Sequence, residues 1–486
     1  MSETLAPVKP GRLIINGEAV DAASGATFTT MNPATEEPIT TVAEAGPEDV
    51  DRAVRAARAA FVGPWARMKP IDRSRVLWKL GDLVLQNADE LARLETLDNG
   101  KPIFESRVVD IDMVARCFHY FSGWASKLTG DTTSVNPGLF TYTLREPVGV
   151  VGAIIPWNFP MIMVAWKAAP ALAAGNTVVM KPAELTPLTA IRIGELALEA
   201  GLPPGALNIV PGKGRIAGEA MVKHPGVDKI SFTGSTEVGR HLMRTAADGL
   251  KKLTLELGGK SPNIVFADAD QDAAVKGATA GIFYGKGEVC GAGSRLLVER
   301  SIHDEFVAKL AERAKKLVPA DPLDPKTRLG SLVSRQQMER VLGYVESGVK
   351  DGAKLMAGGK AQPVNGKGAF VQATVLSGVE NRMKVAQEEI FGPVLAVIPF
   401  DDVEDAIAKA NDVPFGLASG VWTRDVKKAH LVSRRLEAGT VWVNMYGFYD
   451  PGMPFGGVKG SGFGRDLGEA CLHDVTQVKS VWLNLE

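Results

Sequence analysis

The sequence predicts a protein with two α/β domains and a small β arm, and three observations support this prediction. Short strands rich in β-branched residues alternate with helices between residues 148 and 258, which is typical of a parallel, doubly wound sheet. A second alternation of strands and helices begins after Pro262. Two further segments, 139–144 and 475–485, alternate apolar and polar residues as exposed strands do.

The N-terminal part of the chain is predicted to be mostly helical. Residues 1–50 form a polar lead-in with short strands, such as 12–15, which precedes the turn Asn16-Gly17. Helices are predicted for 47–61, 71–97 and 104–128, because apolar residues recur there at helical spacing.

The segment 131–147 interrupts the helical pattern. Residues 139–144 lie between Asn136-Pro137-Gly138 and Pro147 and have the pattern of an exposed strand. An exposed strand edge can pair with another chain, so this segment and 475–485 are candidates for an oligomerisation arm. The alternative is an ordinary edge hairpin within one subunit.

The first doubly wound sheet accounts for residues 148–258. Strands are predicted at 148–155, 177–180, 207–210, 229–232 and 252–255, with helices at 161–174, 189–200 and 237–247. Ligands bind such sheets at the carboxyl ends of the strands. The loops 156–160, 181–184, 211–212 and 233–235 are therefore expected to contact a ligand.

The second α/β domain is predicted from the pattern after Pro262. Its strands are expected at 264–266, 296–298, 394–398 and 440–444, and its helices at 271–283, 303–317, 335–351, 403–411 and 427–436. Cys290 precedes one of these strands.

Composition excludes several classes of protein. The net charge of -1 gives no basic surplus for binding nucleic acid. Three distant cysteines, Cys117, Cys290 and Cys471, form neither a disulfide framework nor a zinc-binding spacing, so no metal is expected. Residues 1–7 lack the features of a signal peptide, and no apolar stretch is long enough to span a bilayer. A cytoplasmic protein with no membrane partner is predicted.

Several motifs carry candidate chemistry, each with a structural alternative. Cys290 lies among small residues and is either an exposed nucleophile or a packed thiol. Thr233-Gly234-Ser235 opens a helix and is either a phosphate site or a tight turn. Lys181 and Glu184 follow a strand and either bind ribose hydroxyls, which favours NAD over NADP, or form a surface ion pair.

Three more stretches follow strands or precede them. Asn158, within Pro156-Trp157-Asn158-Phe159-Pro160, either donates to an oxyanion or satisfies a turn. Glu256, flanked by leucines, is either a desolvated general base or a solvated carboxylate. Glu389-Ile390-Phe391-Gly392-Pro393 either holds a ribose and a flat ring or supplies a core Phe with a capping Glu.

Taken together and in this order, these motifs resemble the aldehyde dehydrogenase superfamily over essentially the whole chain. The motif Pro454-Phe455-Gly456-Gly457 and the residues Ala292-Gly293-Ser294-Arg295 after Cys290 complete the resemblance. It implies an NAD-dependent, non-acylating enzyme in which the Cys290 thiolate attacks the aldehyde and passes through a thiohemiacetal to a thioester. Asn158 and the Cys290 N–H hold the oxyanion, Glu256 activates water for hydrolysis, and Lys167 lies behind Glu256.

The resemblance also implies the domain limits and the cofactor site. A Rossmann-like NAD-binding domain would comprise 1–127 and 148–258, a catalytic domain 259–447, and the arm of a homodimer or homotetramer 128–147 and 470–486. NAD is expected in preference to NADP. The implied cofactor-binding residues are Ile154, Ile155, Pro156, Trp157, Lys181, Ala183, Glu184, Gly234, Ser235, Leu257, Gly258, Glu389 and Phe391.

The substrate tunnel is implied by matching positions. Its residues are apolar or aromatic and include no arginine that would bind a second carboxylate, so a hydrophobic, medium-chain or aromatic aldehyde is expected rather than a semialdehyde acid. A CoA-acylating enzyme and a catalytically silent structural protein are the alternatives. Glu256 argues against the first, and the presence of Cys290, Glu256 and Asn158 argues against the second. The implied tunnel residues are Met113, Phe159, Met163, Trp166, Phe448, Tyr449 and Phe455.

Three positions depart from the pattern of the superfamily. Glu288 stands where glutamine is common, and an ionised carboxylate there is expected to disfavour the Cys290 thiolate. Gly285 stands where many members carry asparagine, and Asp466 where glutamate is common. The conformation of the cysteine loop and any water relay through Asp466 are therefore open.

Overall fold

The computed structural model describes residues 7–486 and contains two large sheets. The first sheet has five parallel central strands and antiparallel strands at both edges, which confirms the predicted α/β class. In spatial order its eight strands are Glu18–Val20, Leu13–Ile15, Leu207–Ile209, Thr177–Lys181, Val150–Ile154, Lys229–Thr233, Lys252–Glu256 and Gly462–Phe463.

The second sheet is parallel except at one edge, where Lys354–Ala357 is antiparallel. Its central strands are buried along most of their length, as expected for strands covered by helices on both faces. Its seven strands, in spatial order, are Lys354–Ala357, Thr374–Ser377, Val394–Phe400, Arg295–Glu299, Pro262–Val265, Ala418–Trp422 and Thr440–Val443.

The predicted helices are present, two of them with breaks, and the structure adds the short helices Pro64–Arg67, Glu219–Lys223, Lys384–Gln387 and Ala470–Asp474. The predicted helix 71–97 is interrupted at Asn87, and the predicted helix 104–128 contains a π-helical turn at Ser106–Asp110 and ends at Ser122. A second π turn covers Gly214–Gly218, and 3₁₀ turns cover Tyr284–Gly287 and Arg300–Ile302. The α-helices are Pro47–Val62, Pro64–Arg67, Pro70–Gln86, Ala88–Asn99, Ile103–Glu105, Ile111–Ser122, Pro160–Ala173, Leu188–Glu199, Glu219–Lys223, Thr236–Ala247, Gln271–Phe283, His303–Lys316, Arg335–Lys350, Lys384–Gln387, Val403–Asn411, Val426–Arg435 and Ala470–Asp474.

Three two-stranded sheets complete the architecture. Thr27–Asn32 pairs with Glu37–Ala43, and Phe415–Gly416 pairs with Val458–Lys459. The third sheet, called the arm below, is the antiparallel pair Leu139–Pro147 and Thr476–Asn484. The large side chains of the arm are exposed, including Phe140, Val478 and Trp482. The two segments with the exposed-strand pattern therefore pair with each other.

The polypeptide passes from one large sheet to the other where the candidate catalytic residues lie. Lys252–Glu256 is a strand of the first sheet, and the short connection 257–261 leads directly into Pro262–Val265 of the second. Beside this crossing lies Pro160–Ala173, a helix that is buried on every side. No helix within residues 7–486 is long and apolar enough to cross a membrane.

Candidate active site

A cavity of about 270 Å³ contains both Cys290 and Glu256. The thiol comes from the loop before strand Arg295–Glu299, and the carboxylate from the end of strand Lys252–Glu256. Most of the wall is apolar or aromatic. The lining residues include Val109, Met113, Phe159, Ile162, Met163, Trp166, Thr233, Tyr284, Val289, Tyr446, Tyr449, Phe455 and Asp466.

Cys290 is the one cysteine of the three that is partly exposed, since Cys117 and Cys471 are buried. Its surroundings favour the neutral thiol: burial, followed by the nearby carboxylates of Glu389 and Glu256, raises the pKa of Cys290 to about 12. The thiol therefore needs a base, or a change in its surroundings, to act as a nucleophile.

The loop that leads to Cys290 has an unusual backbone. Gly285, Lys286 and Gly287 all have positive φ angles, of 56°, 61° and 72°. Glycine adopts this conformation without steric cost because it has no Cβ, whereas the Cβ of a lysine comes too close to the backbone. A Cβ at Gly287 would also collide with the carbonyl of Gly392. The loop is therefore held in one conformation by its contacts.

Asn158 lies against this loop. Its Nδ2 donates to the backbone oxygen of Glu288 at 2.9 Å, two residues before the thiol. Asparagine has two N–H groups on this nitrogen, so the contact leaves one for a ligand. Asn158 follows strand Val150–Ile154, at the carboxyl edge where the sequence predicts ligand binding.

Glu256 is buried, with neither carboxylate oxygen hydrogen-bonded within the described part of the chain. Burial raises the pKa of Glu256 well above its usual range, and the charge of Asp466 adds to this effect. A carboxyl group with a raised pKa takes up protons near neutral pH, as a general base requires.

Lys167 and Asp466 form a buried ion pair beside Glu256. Nζ of Lys167 donates to Oδ2 of Asp466 at 2.6 Å, and Asp466 also lines the cavity. Lys167 belongs to the buried helix Pro160–Ala173. Its ammonium group is the largest influence that lowers the pKa of Glu256.

Glu389 and Phe391 face the loops at the carboxyl edge of the first sheet. Oε1 of Glu389 accepts from the Gly259 N–H at 3.0 Å, and a Cβ at Gly258 would collide with the same carboxylate. Burial raises the pKa of Glu389 to about 7. The rings of Trp157 and Phe391 meet edge to face, with centroids 5.1 Å apart.

A second group of predicted residues lies further along this edge. Nζ of Lys181 donates to the backbone oxygens of Pro182 and Gly212, at 2.8 and 3.1 Å, and lies 4.0 Å from Glu184. Burial lowers the pKa of Lys181 to about 8. Ile154 ends its strand, and the Ile155 N–H donates to the oxygen of Lys181. Ser235 follows Gly234 and caps helix Thr236–Ala247.

Six of the seven predicted tunnel residues line the cavity, and Leu257 of the predicted cofactor set lies there as well. Phe448 does not, because its side chain is 67% exposed. Among the residues that sequence reasoning missed is Tyr446, whose hydroxyl donates to the oxygen of Gly291 at 2.9 Å. A signal was present, since Tyr446 follows a predicted strand end just as Tyr449 does.

The sequence suggested that the Glu288 carboxylate would disfavour the Cys290 thiolate, but Glu288 is not among the groups that raise the pKa of Cys290. Its carboxylate contacts Lys286 and the Val333 N–H. The carboxylates that raise the pKa of Cys290 are those of Glu389 and Glu256. Within residues 7–486, no group of His, Cys, Asp and Glu side chains is arranged to hold a metal ion.

The fold and this site are those of an aldehyde-oxidising dehydrogenase with a cavity-facing thiol. The sequence pattern of the aldehyde dehydrogenase family matches residues 19–481, and the chain belongs to this family. This membership confirms the predicted resemblance and the predicted class of enzyme, an NAD-dependent aldehyde dehydrogenase.

Individual relatives cover nearly the whole chain. The mitochondrial aldehyde dehydrogenase of Rattus norvegicus is 51% identical, over 97% of this chain and 91% of its own length. The NAD+ complex of a Bacillus cereus aldehyde dehydrogenase has a TM-score of 0.97 at 47% identity, covering 98% of this chain and 97% of that one. A P. syringae indole-3-acetaldehyde dehydrogenase bound to NAD+ has a TM-score of 0.96 at 49% identity, with the same coverage.

Proposed function

We propose that this enzyme oxidises hydrophobic aldehydes, aromatic or of medium chain length, to carboxylic acids with NAD. The observation that carries the proposal is the shared cavity of Cys290 and Glu256, whose described lining is largely apolar or aromatic and contains no arginine, lysine or histidine. Such a lining favours an apolar substrate and offers no partner for a second carboxylate. The relative that acts on indole-3-acetaldehyde, an aromatic aldehyde, supports this choice.

In the proposed mechanism Cys290 is the nucleophile. Its thiol loses a proton, for which Glu256 in the same cavity is the available base, and the sulfur then bonds to the aldehyde carbon. The oxygen of the former carbonyl becomes an oxyanion. The free N–H of the Asn158 amide and the backbone N–H of Cys290 would hold it, because fixed donors stabilise charge as it develops.

Oxidation and hydrolysis complete the reaction. NAD, when bound, supplies the acceptor for the hydride of the substrate. The acyl group is then held on Cys290 as a thioester. Once the proton taken from Cys290 has passed to solvent, Glu256 takes a proton from the attacking water, the C–S bond breaks, and the acid leaves while Glu256 returns this proton to the sulfur. Lys167 would assist by keeping part of the Glu256 population ionised, whereas the charge of Asp466 opposes this ionisation.

The residues at the carboxyl edge of the first sheet fit NAD. Thr233 Oγ1 is buried without a hydrogen-bond partner in the described residues, and a Cβ at Gly258 would close the space in front of Glu389. Glu389 and Phe391 would hold the nicotinamide ribose, while Trp157 and Ser235 would lie along the adenosine diphosphate.

The Lys181–Glu184 pair would bind the hydroxyls of the adenine ribose. A carboxylate at this place repels a 2′-phosphate, so NAD is preferred over NADP. Ile154, Ile155, Pro156 and Ala183 would form the surface beneath the adenosine.

The arm is proposed to join subunits into a homodimer or homotetramer in the cytoplasm. Its exposed Phe140, Val478 and Trp482 lie on a sheet of two strands, which is rarely stable alone. Burial of these side chains against a second subunit would remove their contact with water. Three distant free cysteines are consistent with a reducing compartment.

Steady-state kinetics across benzaldehyde, phenylacetaldehyde, hexanal and succinate semialdehyde test the substrate class, each with NAD and with NADP. We expect the highest kcat/KM with an apolar aldehyde and NAD. A clear preference for succinate semialdehyde would contradict the proposal. Activity that depends on added CoA would favour the acylating reaction, and unchanged NAD reduction by Cys290→Ala would refute the nucleophile assignment.

A further inference from the structure

The loop that leads to Cys290 is anchored by a buried lysine. Lys286 has a positive φ of 61°, and its Nζ donates to two oxygens of Asn99, the backbone oxygen and Oδ1, both at 2.8 Å. The same Nζ lies 2.8 Å from Oε2 of Glu288, and both side chains are about 1% exposed. These contacts offset the cost of a left-handed conformation in a non-glycine residue.

Glu288 connects this lysine to two other parts of the site. Its Oε1 accepts from the Val333 N–H at 3.1 Å, which ties the loop to the second α/β unit. Its backbone oxygen accepts from Nδ2 of Asn158 at 2.9 Å. The position of the proposed oxyanion donor and the position of the cysteine loop are therefore set by the same residue.

Asn99 contacts both Lys286 and the segment that carries Asn158. Its Nδ2 donates to the backbone oxygens of Trp157 at 2.7 Å and Asn158 at 3.4 Å. The segment that carries Asn158 is thereby fixed to the residue that accepts from Lys286. Asn99, Lys286, Glu288 and Asn158 form a closed ring of contacts, which reaches Asn158 through both its backbone oxygen and its side-chain amide.

We propose that Lys286 and Glu288 are positioning residues, whose ion pair, together with Asn99, holds Cys290 in register with Asn158. The proposal rests on the catalytic roles proposed above for Cys290 and Asn158. It assigns a role to Glu288, one of the three positions that depart from the pattern of the superfamily.

Each member of the Lys286–Glu288 pair depends on the other to remain ionised. Burial lowers the pKa of Lys286 and raises that of Glu288, so each group is kept ionised chiefly by the other. The other charged groups that face the pair are Lys101 and Glu105. Lys101 is itself paired with Glu95 and Asp110, and Glu105 accepts from the Gly285 N–H at 3.1 Å.

Removal of one partner leaves a buried charge without compensation, whereas removal of both charges does not. Two glutamines in place of the pair can hydrogen-bond each other, and an amide at position 286 can still donate to Asn99. The proposal therefore predicts that the two single substitutions are each harmful and that their combination restores much of what each one loses.

The experiment compares Lys286→Gln, Glu288→Gln, Glu288→Asp and the double variant Lys286→Gln/Glu288→Gln in the full-length enzyme. The matched control neutralises the exposed pair Lys309–Glu305, which belongs to a helix of the second unit. Each variant is assayed for kcat, KM, NAD binding by fluorescence, thermal midpoint, and the rate of Cys290 alkylation by iodoacetamide as a function of pH.

We expect each single glutamine variant to lose about 10- to 100-fold in kcat, because misplaced reacting groups cost this much, with KM and NAD binding changed less than about threefold. The kcat of the double variant should be at least about fivefold higher than that of either single glutamine variant. Glu288→Asp keeps the charge but is too short to reach both Lys286 and Val333. It should fold, lose kcat and show an altered pH profile of alkylation.

Two results would overturn the proposal. One is a kcat that falls only in proportion to the folded fraction, which denotes a purely structural role. The other is a double variant that is as slow as the slower single one. Cys290→Ala serves as a separate control: if it stayed active, the proposed function would fail, whereas the positioning proposal is judged only on variants that keep Cys290.

Discussion

The substitution Lys167→Met removes a buried charge from the site while keeping an unbranched side chain of similar length. In the native enzyme Nζ of Lys167 lies 2.6 Å from Oδ2 of Asp466, and both side chains are buried. The methionine leaves the Asp466 carboxylate beside Glu256 without its partner. Two effects follow, one on stability and one on the pH dependence of activity.

The loss of stability follows from the burial of the pair. Breaking a buried ion pair by removing one partner costs about 3–5 kcal/mol. An unfolding entropy of about 2.1 cal/mol/K per residue gives about 1 kcal/mol per degree if the whole chain unfolds as one unit. The thermal midpoint should therefore fall by about 3–5 °C, and by more if the cooperative unit is smaller.

The pH dependence changes in a defined direction. Lys167 lowers the pKa of Glu256, so its removal raises that pKa further above the usual range. At a given pH a smaller fraction of Glu256 is then ionised and able to act as a base. The ascending limb of the kcat–pH profile should move to higher pH.

Thermal scanning and kcat profiles of Lys167→Met test both effects, with Lys167→Met/Asp466→Asn as the matched control. The double variant has no unpaired carboxylate, so its thermal midpoint should lie closer to that of the native enzyme. An unchanged midpoint together with an unchanged profile in Lys167→Met would refute the reasoning.

Three further predictions concern separate parts of the molecule. Glu256→Gln should slow the first-turnover burst of NADH, because Glu256 is the proposed base for the Cys290 thiol, and should lose about 10²- to 10⁴-fold in steady-state kcat, since hydrolysis lacks its base as well. Glu184→Ala should raise kcat/KM for NADP by about five- to tenfold, because a carboxylate near a phosphate opposes binding by about 1 kcal/mol in water. Trp482→Glu should shift the enzyme toward smaller species in size-exclusion chromatography, because it places a charge on the arm.

Each of these predictions has an outcome that contradicts it. A Glu256→Gln enzyme with an unchanged burst and an unchanged steady-state kcat would remove this residue from both proposed base roles. Unaltered NADP kinetics in Glu184→Ala would remove this residue from cofactor selection. Trp482→Glu is compared with a substitution of exposed Val426, which lies outside the arm, and equal elution of both variants would argue against assembly through the arm.

Local sequence patterns predicted most helices and strands because these elements are determined largely by residues that are close in sequence. The helix Gln271–Phe283 and the strand Thr440–Val443 follow from apolar periodicity and flanking turn residues. The break at Asn87 was missed because apolar spacing continues across it. The place of Gly462–Phe463 at the edge of the first sheet depends on pairing over two hundred residues, which no local pattern contains.

The sequence predicted the site well for residues whose location is determined by the backbone. It predicted the site less well for residues whose role depends on the direction of the side chain. The leucines beside Glu256 indicated desolvation, and Glu256 is buried. Glu288 is close to Cys290 in sequence, yet its carboxylate contacts Lys286 because the left-handed turn redirects the chain. Phe448 was expected to face the tunnel like its neighbour Tyr449, but it projects into solvent.

The order of several key segments along the chain has a consequence for biosynthesis. Asp466, the edge strand Gly462–Phe463 and the arm strand Thr476–Asn484 are all translated after Lys167 and the strand Lys252–Glu256. Until they emerge, Lys167 has no counter-ion and Lys252–Glu256 has an unpaired edge beside a free thiol. A nascent chain is therefore exposed to aggregation and oxidation while it lacks a finished catalytic centre. The speed of translation between residues 256 and 466 would govern how long that exposure lasts.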